Sequence, residues 1–382
     1  MRLRLLPRRV IALGASALLA SAGVGTLTAT LIATPAAASA GTWSELAVPD
    51  PAVQFSYVTA VDALSDTDAW AVGYVQPPNV GPFLPIIDHF NGTTWSSVDA
   101  PQLGDGTILN GVSVSQANDA WAVGYFFTHP ASNGYHIQTN PAVLHWNGST
   151  WAQTAMPDAA VVAGVSSVSP TNAWAVDSGG GVKHWDGTAW SDVATPSPNP
   201  SGVGPGSLTA ISARTASDVW AVGLFAPRRH VTASFATHFD GTAWQLTPVP
   251  ADTYLSSVVT VGPGDAWAVG MVQSTDQPVT LHWNGTAWST VASVTIPAGG
   301  SLRNVSARTG SDVWAVGTAF TGDATTVAAL TIHWNGTSWT SAPVSTAVVS
   351  PDLYAVSARP TSTHTWATGT QQPGFPLILE RH

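Results

Sequence analysis

Three sets of residues in this chain have the types and the regularity that chemistry demands. Six histidines, His89, His145, His184, His238, His282 and His333, each open a phrase close to HWNGTxW. Imidazoles in number suit a transition metal. Five aspartates, Asp68, Asp119, Asp218, Asp265 and Asp312, each stand two residues before another tryptophan, and Asp66 adds a carboxylate beside the first. Clustered carboxylates suit calcium. Three arginines, Arg214, Arg308 and Arg359, recur at one place in a longer pattern and would clamp a carboxylate if they converged.

Whether any set converges depends on the elements that carry it. A second phrase alternates with the first: DAWAVG at 68–73 and 119–124, NAWAVD at 172–177, DVWAVG at 218–223, DAWAVG at 265–270, DVWAVG at 312–317, and HTWATG at 364–369. Its tryptophans lie 46 to 53 residues apart, and all 18 tryptophans fall within the two phrases. A period near 50 belongs to propeller blades rather than helical solenoids. Each period holds four extended pieces, rich in Val, Thr, Ile and Trp, residue types that favour strands. Helix is disfavoured, because no 3.6-residue apolar period runs through the chain. The Asn-Gly or Asp-Gly between third and fourth pieces predicts a two-residue type I′ hairpin. In WAVG, Trp and Val face one side while Ala and Gly face the other. A bulky sheet face can then seat on the small face of the next sheet.

The two ends of the repeat region complement each other. Gly41-Thr42-Trp43 reads as a fourth strand without its first three, and PLILERH at 376–382 reads as a third strand without a fourth. In this alignment Arg381 replaces the repeated histidine and His382 the tryptophan after it. The fold predicted is all-β, a seven-bladed β-propeller over 41–382. Its ring closes where the N-terminal outer strand pairs with the C-terminal three-strand blade, which removes exposed sheet edges.

That ring decides the chemistry. Third strands lie two strand spacings, about 10 Å, beyond the inner strands. Histidines so placed cannot share one ion whose bonds to nitrogen are about 2 Å. Each histidine is therefore expected to hydrogen-bond within its own blade. The aspartates are expected to accept bonds from nearby turn amides, and the arginines to pair with an Asp. Loop length separates two faces. First-to-second and third-to-fourth connections are short and uniform. Second-to-third and fourth-to-first connections vary, from SGGG at 178–181 to YFFTHPASNGYHIQTN at 125–140. Variable loops carry function more often than uniform ones. At the start of each inner strand one position is polar in six blades: Thr59, Asn110, Thr209, Ser256, Arg303 and Tyr354, with Ala163 in the seventh. These six, with Tyr125 and the loop residues Arg228 and Arg229, form the candidate ligand site around the channel mouth. Such a funnel suits a sugar or an acidic peptide.

Composition narrows the partners. Lys183 is the only lysine, and 41–382 carries eight basic residues against 22 acidic ones. Nucleic acid is excluded as a natural partner on charge. No cysteine is present, so disulfides, thiolate chemistry and a lipobox anchor are excluded. Residues 1–40 read as a signal peptide: Arg2, Arg4, Arg8 and Arg9, an apolar run to Ala33, then Ala38-Ser39-Ala40 before Gly41. Export through the Sec or twin-arginine route to the extracellular space is expected, with no transmembrane segment after cleavage, no cofactor and no metal, as a monomer. An uncleaved leader would serve as an anchor.

The valine-serine inner strand, the WAV strand and the HWNGxxW hairpin together resemble secreted bacterial propeller-repeat proteins. The pattern is similar to tectonin-type repeats, best in VVAGVSSVSPTNAWAVDSGGGVKHWDGTAW at 161–190, and in period to kelch repeats, whose double glycine is absent. The resemblance covers 41–382. It implies binding of a glycan or cell-surface protein. The hairpin is also similar to the sialidase Asp box in its tryptophan, without that box's serine and aspartate. No G-x-S-x-G, HExxH or phosphate-binding glycine loop occurs, and the only glutamates are Glu45 and Glu380. A non-catalytic binding protein is the leading expectation. A glycoside hydrolase or lyase stays open, and would need two carboxylates among Asp105, Asp252, Asp276 and Asp323 about 10 Å apart or less. A structural scaffold in an envelope complex is a third reading.

Overall fold

The computed structural model describes residues 41–49, 55–77, 81–129, 137–157, 159, 161–198, 206–228, 231–322, 326–344 and 348–382. The leader predicted over 1–40 lies outside them. Among the described residues, 28 strands form seven four-stranded antiparallel sheets and no helix occurs. Six sheets use four consecutive strands, as in Ser56–Ser65, Asp68–Val75, Leu84–Phe90 and Trp95–Ser97. The seventh joins Ser44–Glu45 to the outer side of Phe375–Arg381, followed inward by Thr365–Gln371 and Asp352–Ser357.

Blades stack through the alternation in WAVG. Trp70 of blade one packs on Trp146 and Trp151 of blade two, at ring separations of 5.0 and 5.2 Å. Trp121, Trp220 and Trp267 repeat the contact on the outer hairpins of blades three, five and six, with ring separations of 5.0 to 5.4 Å. At the seam Trp366 meets Phe90 and Trp95 of blade one, 4.8 and 5.3 Å away. Each such indole buries about 200 Å², an upper bound of about 5 kcal/mol.

The closing blade has a register one residue away from the sequence alignment. Trp366 pairs with Glu380, as Trp70 pairs with His89. Glu380 therefore takes the place of the repeated histidine and Arg381 that of the tryptophan after it. The Arg381 guanidinium lies 5.0 Å from the Trp314 ring, where an indole sits in other blades, and Trp43 meets the same ring edge-on at 5.6 Å. A cation on an aromatic face substitutes for aromatic packing. The latch is otherwise as predicted: Ser44 pairs with Glu380, Glu45 with Leu379, and the Leu46 N–H donates to Ile378 O. The Trp43 indole N–H donates to Ala342 O of blade six at 3.0 Å.

The hairpin turn also differs from the prediction. Phe90 pairs with Trp95, so the loop is four residues long, Asn91 to Thr94. Only Gly92 has positive φ, 91°, and the Asn91 side chain accepts the N–H groups of Thr93 and Thr94. The asparagine acts through its side-chain oxygen rather than through a left-handed backbone, so a type I′ turn is not formed.

Serines knit the ring around its axis. Ser113 Oγ accepts the Ser167 N–H of the next blade, Ser166 the Ala213 N–H, Ser212 the Thr260 N–H, and Ser306 the Ala358 N–H, each at 2.9 Å. Ser357 accepts the Ala63 N–H at 3.1 Å across the seam, and Asp62 accepts the Val114 N–H at 2.9 Å. Burial drives the Asp62 carboxyl above its usual range, against the pull of the Arg359 guanidinium that pairs with it.

Candidate functional site

All seven inner strands carry a β-bulge at one level. The register slips between Val58 and Ala60, Leu109 and Gly111, Val162 and Gly164, Leu208 and Ala210, Leu255 and Ser257, Leu302 and Asn304, and Leu353 and Ala355. The skipped residues are Thr59, Asn110, Ala163, Thr209, Ser256, Arg303 and Tyr354, the seven positions singled out from sequence. A bulge leaves one residue without a ladder partner and re-aims it, and all seven line a central channel of about 560 Å³. In six blades a glycine lies opposite the residue before the bulge, where the strands approach closely, and blade three carries Asp177 there. A Cβ on Gly73 would lie 1.8 Å from Tyr57 O, and one on Gly270 would lie 1.8 Å from Tyr254 O.

The bulge residues divide by what they already hold. Thr59 Oγ1 lies 2.7 Å from Leu109 O of the next blade and 3.1 Å from Val72 O. Thr209 repeats this with Leu255 O and Val222 O at 3.2 and 3.1 Å, and Asn110 donates to Val162 O at 3.1 Å. These three groups tie neighbouring blades together. Ser256 lines the channel. Arg303 and Tyr354 form a different unit. The Arg303 guanidinium lies 4.9 Å over the Tyr354 ring and 3.1 Å from Asp352, which also accepts from Thr318 Oγ1. Burial, then the Asp352 charge, raises the Tyr354 hydroxyl above its usual range. The backbone of Arg228 pairs with Val231. The Arg228 side chain and all of Arg229 lie outside the described residues.

Tyr125 belongs to an array that sequence reasoning did not assemble. On the variable-loop side of blades one and two, Tyr57 stacks on Tyr74 at 4.9 Å, Tyr74 meets Phe83 at 5.8 Å, Phe83 meets Phe127 at 6.0 Å, and Phe127 meets Tyr125 edge-on at 5.3 Å. The five rings are half-buried rather than enclosed. Burial raises the Tyr74 and Tyr125 hydroxyls above their usual range, so both are neutral donors at any ordinary pH. Beside the array, the half-exposed Asp105 accepts both the backbone N–H of His129 and its ring Nδ1, at 2.8 and 2.9 Å. Those bonds hold the Asp105 carboxyl below its usual range. The legible signal was WAVGY, a tyrosine directly after the repeat phrase, which occurs only at 70–74 and 121–125.

The repeated chemistry of the sequence is structural. His89, His145, His238, His282 and His333 bond through Nε2 to the aspartate of their own blade at 2.7 to 2.9 Å, and His184 bonds Asn172 at 2.9 Å. Each ring also stacks on the tryptophan of its blade, 4.2 to 4.5 Å away. The aspartates thus serve the histidines, not the turn amides that sequence reasoning assigned to them. Asp66 reaches across the seam to Ser362, Thr363 and His364, and those bonds pull its carboxyl down to about 2 against the opposing effect of burial. Arg214, Arg308 and Arg359 pair with Asp218, Asp312 and Asp62.

Two of the acids that a hydrolase would need, Asp252 and Asp105, are engaged through their carboxylates. Asp252 holds Ser274, the backbone of Asp276 caps Gly300, and Asp105 holds His129. Asp323 lies outside the described residues.

No protein-family model matches this chain, and no curated protein matches it. Solved structures match in number, and the likeness is one of fold alone. A structure of YCF48 bound to D1 peptide superposes with a TM-score of 0.57 at 15% identity, covering 90% of this chain and 98% of that one. U3-55K gives 0.59 at 8%, covering 89% and 98%. The GH74 xyloglucanase of Xanthomonas campestris gives 0.57 at 15%, covering 88% of this chain and 55% of that one.

Proposed function

We propose that this propeller is a secreted, non-catalytic binding protein that takes a glycan on its variable-loop side. The observation that carries the reading is the run of half-buried rings from Tyr57 to Phe127, flanked by Asp105 and His129. Aromatic faces offer area for the apolar faces of sugar rings, while neutral tyrosine hydroxyls, the carboxylate and the imidazole supply directional bonds. Arg303 and Tyr354 extend the same side to the channel mouth. The tectonin-like repeat pattern and the export-type leader agree with a ligand met outside the cell. A glycan array probed with residues 41–382, repeated with Tyr74→Ala, is the test. Binding that Tyr74→Ala weakens at least about tenfold, a loss of about 1.4 kcal/mol, supports the reading. Binding unchanged in Tyr74→Ala, or product release from the bound glycan, overturns it.

A peptide of a surface protein is the second reading. It is favoured by the peptide-bound YCF48 structure and by the Arg303–Asp352 pair, which offers both charges to an extended chain. Capture of peptides by an array that shows no glycan binding would select it.

A further inference from the structure

The closing blade inverts the pair that the other blades share. His364 stands where they carry aspartate or asparagine, and Glu380 stands opposite Trp366 where they carry histidine. A simple exchange of acid and base would restore the same hydrogen bond. It does not do so. His364 Nδ1 lies 2.6 Å from Glu380 Oε1 as an ion-pair contact, and among the described residues this buried nitrogen has no hydrogen-bond partner. The second carboxylate oxygen faces His382 Nε2 at 3.4 Å, and the two imidazole rings meet edge-on at 4.2 Å. The three donor atoms all lie within 4.8 Å of one another.

We infer that His364, Glu380 and His382 form a binding site for a divalent transition-metal ion of the zinc type within the blade that closes the ring. Two imidazoles and one carboxylate are a donor set that zinc accepts, with bonds of about 2.0–2.2 Å that put donors roughly 3.4 Å apart around a tetrahedral centre. The observed separations bracket that figure, and the exposed His382 has the freedom to make the adjustment. Glu380 is 7% exposed and lies on the strand that pairs with Ser44, so its carboxylate is held by the latch itself. The nearest arginine along the strand, Arg381, is committed to the Trp314 ring. A cation would therefore neutralise a buried carboxylate whose ion-pair partners among the described residues are the two imidazoles. An outer layer is also present. Asp66 of blade one and Ser362 Oγ accept the backbone N–H of His364 at 3.3 and 3.1 Å, which fixes the segment carrying the first ligand. The ion would bridge the second and third strands of the closing blade, immediately inside the strand contributed by residues 44–45.

The test uses untagged protein stripped with EDTA and then titrated with ZnCl₂ by calorimetry, with Co²⁺ as a spectroscopic substitute. The expected result is one Zn²⁺ per chain, visible d–d bands of low-coordinate Co²⁺, and a Zn²⁺-dependent rise in unfolding temperature. His382→Ala removes an exposed ligand without disturbing the core, and should weaken Zn²⁺ binding at least about tenfold and abolish the thermal shift. Glu380→Gln should act likewise. No Zn²⁺ uptake, or equal uptake and thermal shift in His382→Ala, overturns the assignment.

Discussion

Asp88 is the place where the fold's electrostatics can be tested by one atom's change. It lies on the third strand of blade one and is 2% exposed, with Ser97 Oγ donating to it at 2.9 Å. Blade three shows how a charge at this place is managed. Lys183 pairs there with Asp192 on the fourth strand, and Asp177 lies 3.9 Å away. Asp88 faces only a hydroxyl across the same register. Burial outweighs that hydrogen bond and pushes its pKa up from 3.8 to about 6. A carboxyl whose folded pKa is raised holds its proton longer in the folded than in the unfolded chain. Its contribution to stability is therefore most favourable below pH 4 and is lost as pH rises to about 6. One pKa unit corresponds to about 1.4 kcal/mol, so the full penalty above pH 6 is on the order of 3 kcal/mol. Asp88→Asn keeps the shape and an acceptor for Ser97 while removing the charge. At pH 7.5 the variant should be more stable than wild type by about 2–3 kcal/mol, and at pH 4 the two should nearly coincide. Urea unfolding at both pH values, followed by tryptophan fluorescence, measures the difference. A variant less stable than wild type at pH 7.5, or a gain equal at both pH values, would refute the reasoning.

Three further outcomes follow from the packing. Trp267→Ala removes a buried indole from between His282 and the Trp334–Trp339 hairpin, and should destabilise by about 3–5 kcal/mol in urea unfolding; a loss under about 1 kcal/mol would mean the ring is not core. Trp43→Ala removes the latch ring from Trp314 and its bond to Ala342, and should expose the 41–46 segment to limited proteolysis well before other strands; uniform resistance would contradict the closure. Asp66→Ala removes the acceptor of Ser362, Thr363 and His364, and should lower the unfolding temperature more at pH 7 than at pH 2, because the wild-type carboxylate, with its pKa drawn down to about 2, supplies this stabilisation only above that value.

Much of the fold was legible because every blade repeats one packing rule. The alternation in WAVG dictates which face is large, and Gly41-Thr42-Trp43 is readable as a missing outer strand. The bulge positions were legible too, since Thr59, Asn110, Thr209, Ser256, Arg303 and Tyr354 break an apolar column at one height. Three things were not. The Asn91 turn looks from composition like a type I′ hairpin, and only the Phe90–Trp95 register shows that it has two more residues. The partner of the aspartates lies 17 to 26 residues away on the third strand, so a local reading assigned turn amides instead. The closing strand lacks the His-Trp anchor that aligns the others, and a shift of one residue hid Glu380 behind Arg381. The aromatic array escaped for another reason. Its five members come from four strand ends and loops of two blades, and no single spacing links Tyr57, Phe83 and Phe127.

Hydrogen exchange with mass spectrometry on the protein with and without its array-selected glycan tests the central claim most directly. Binding on the variable-loop side predicts slowed exchange in the segments around Tyr57, Tyr74 and Tyr125–His129, with no change at the short connections near Thr215–Asp218 and Thr309–Asp312. Protection confined to those short connections, with the tyrosine segments unchanged, would contradict the account.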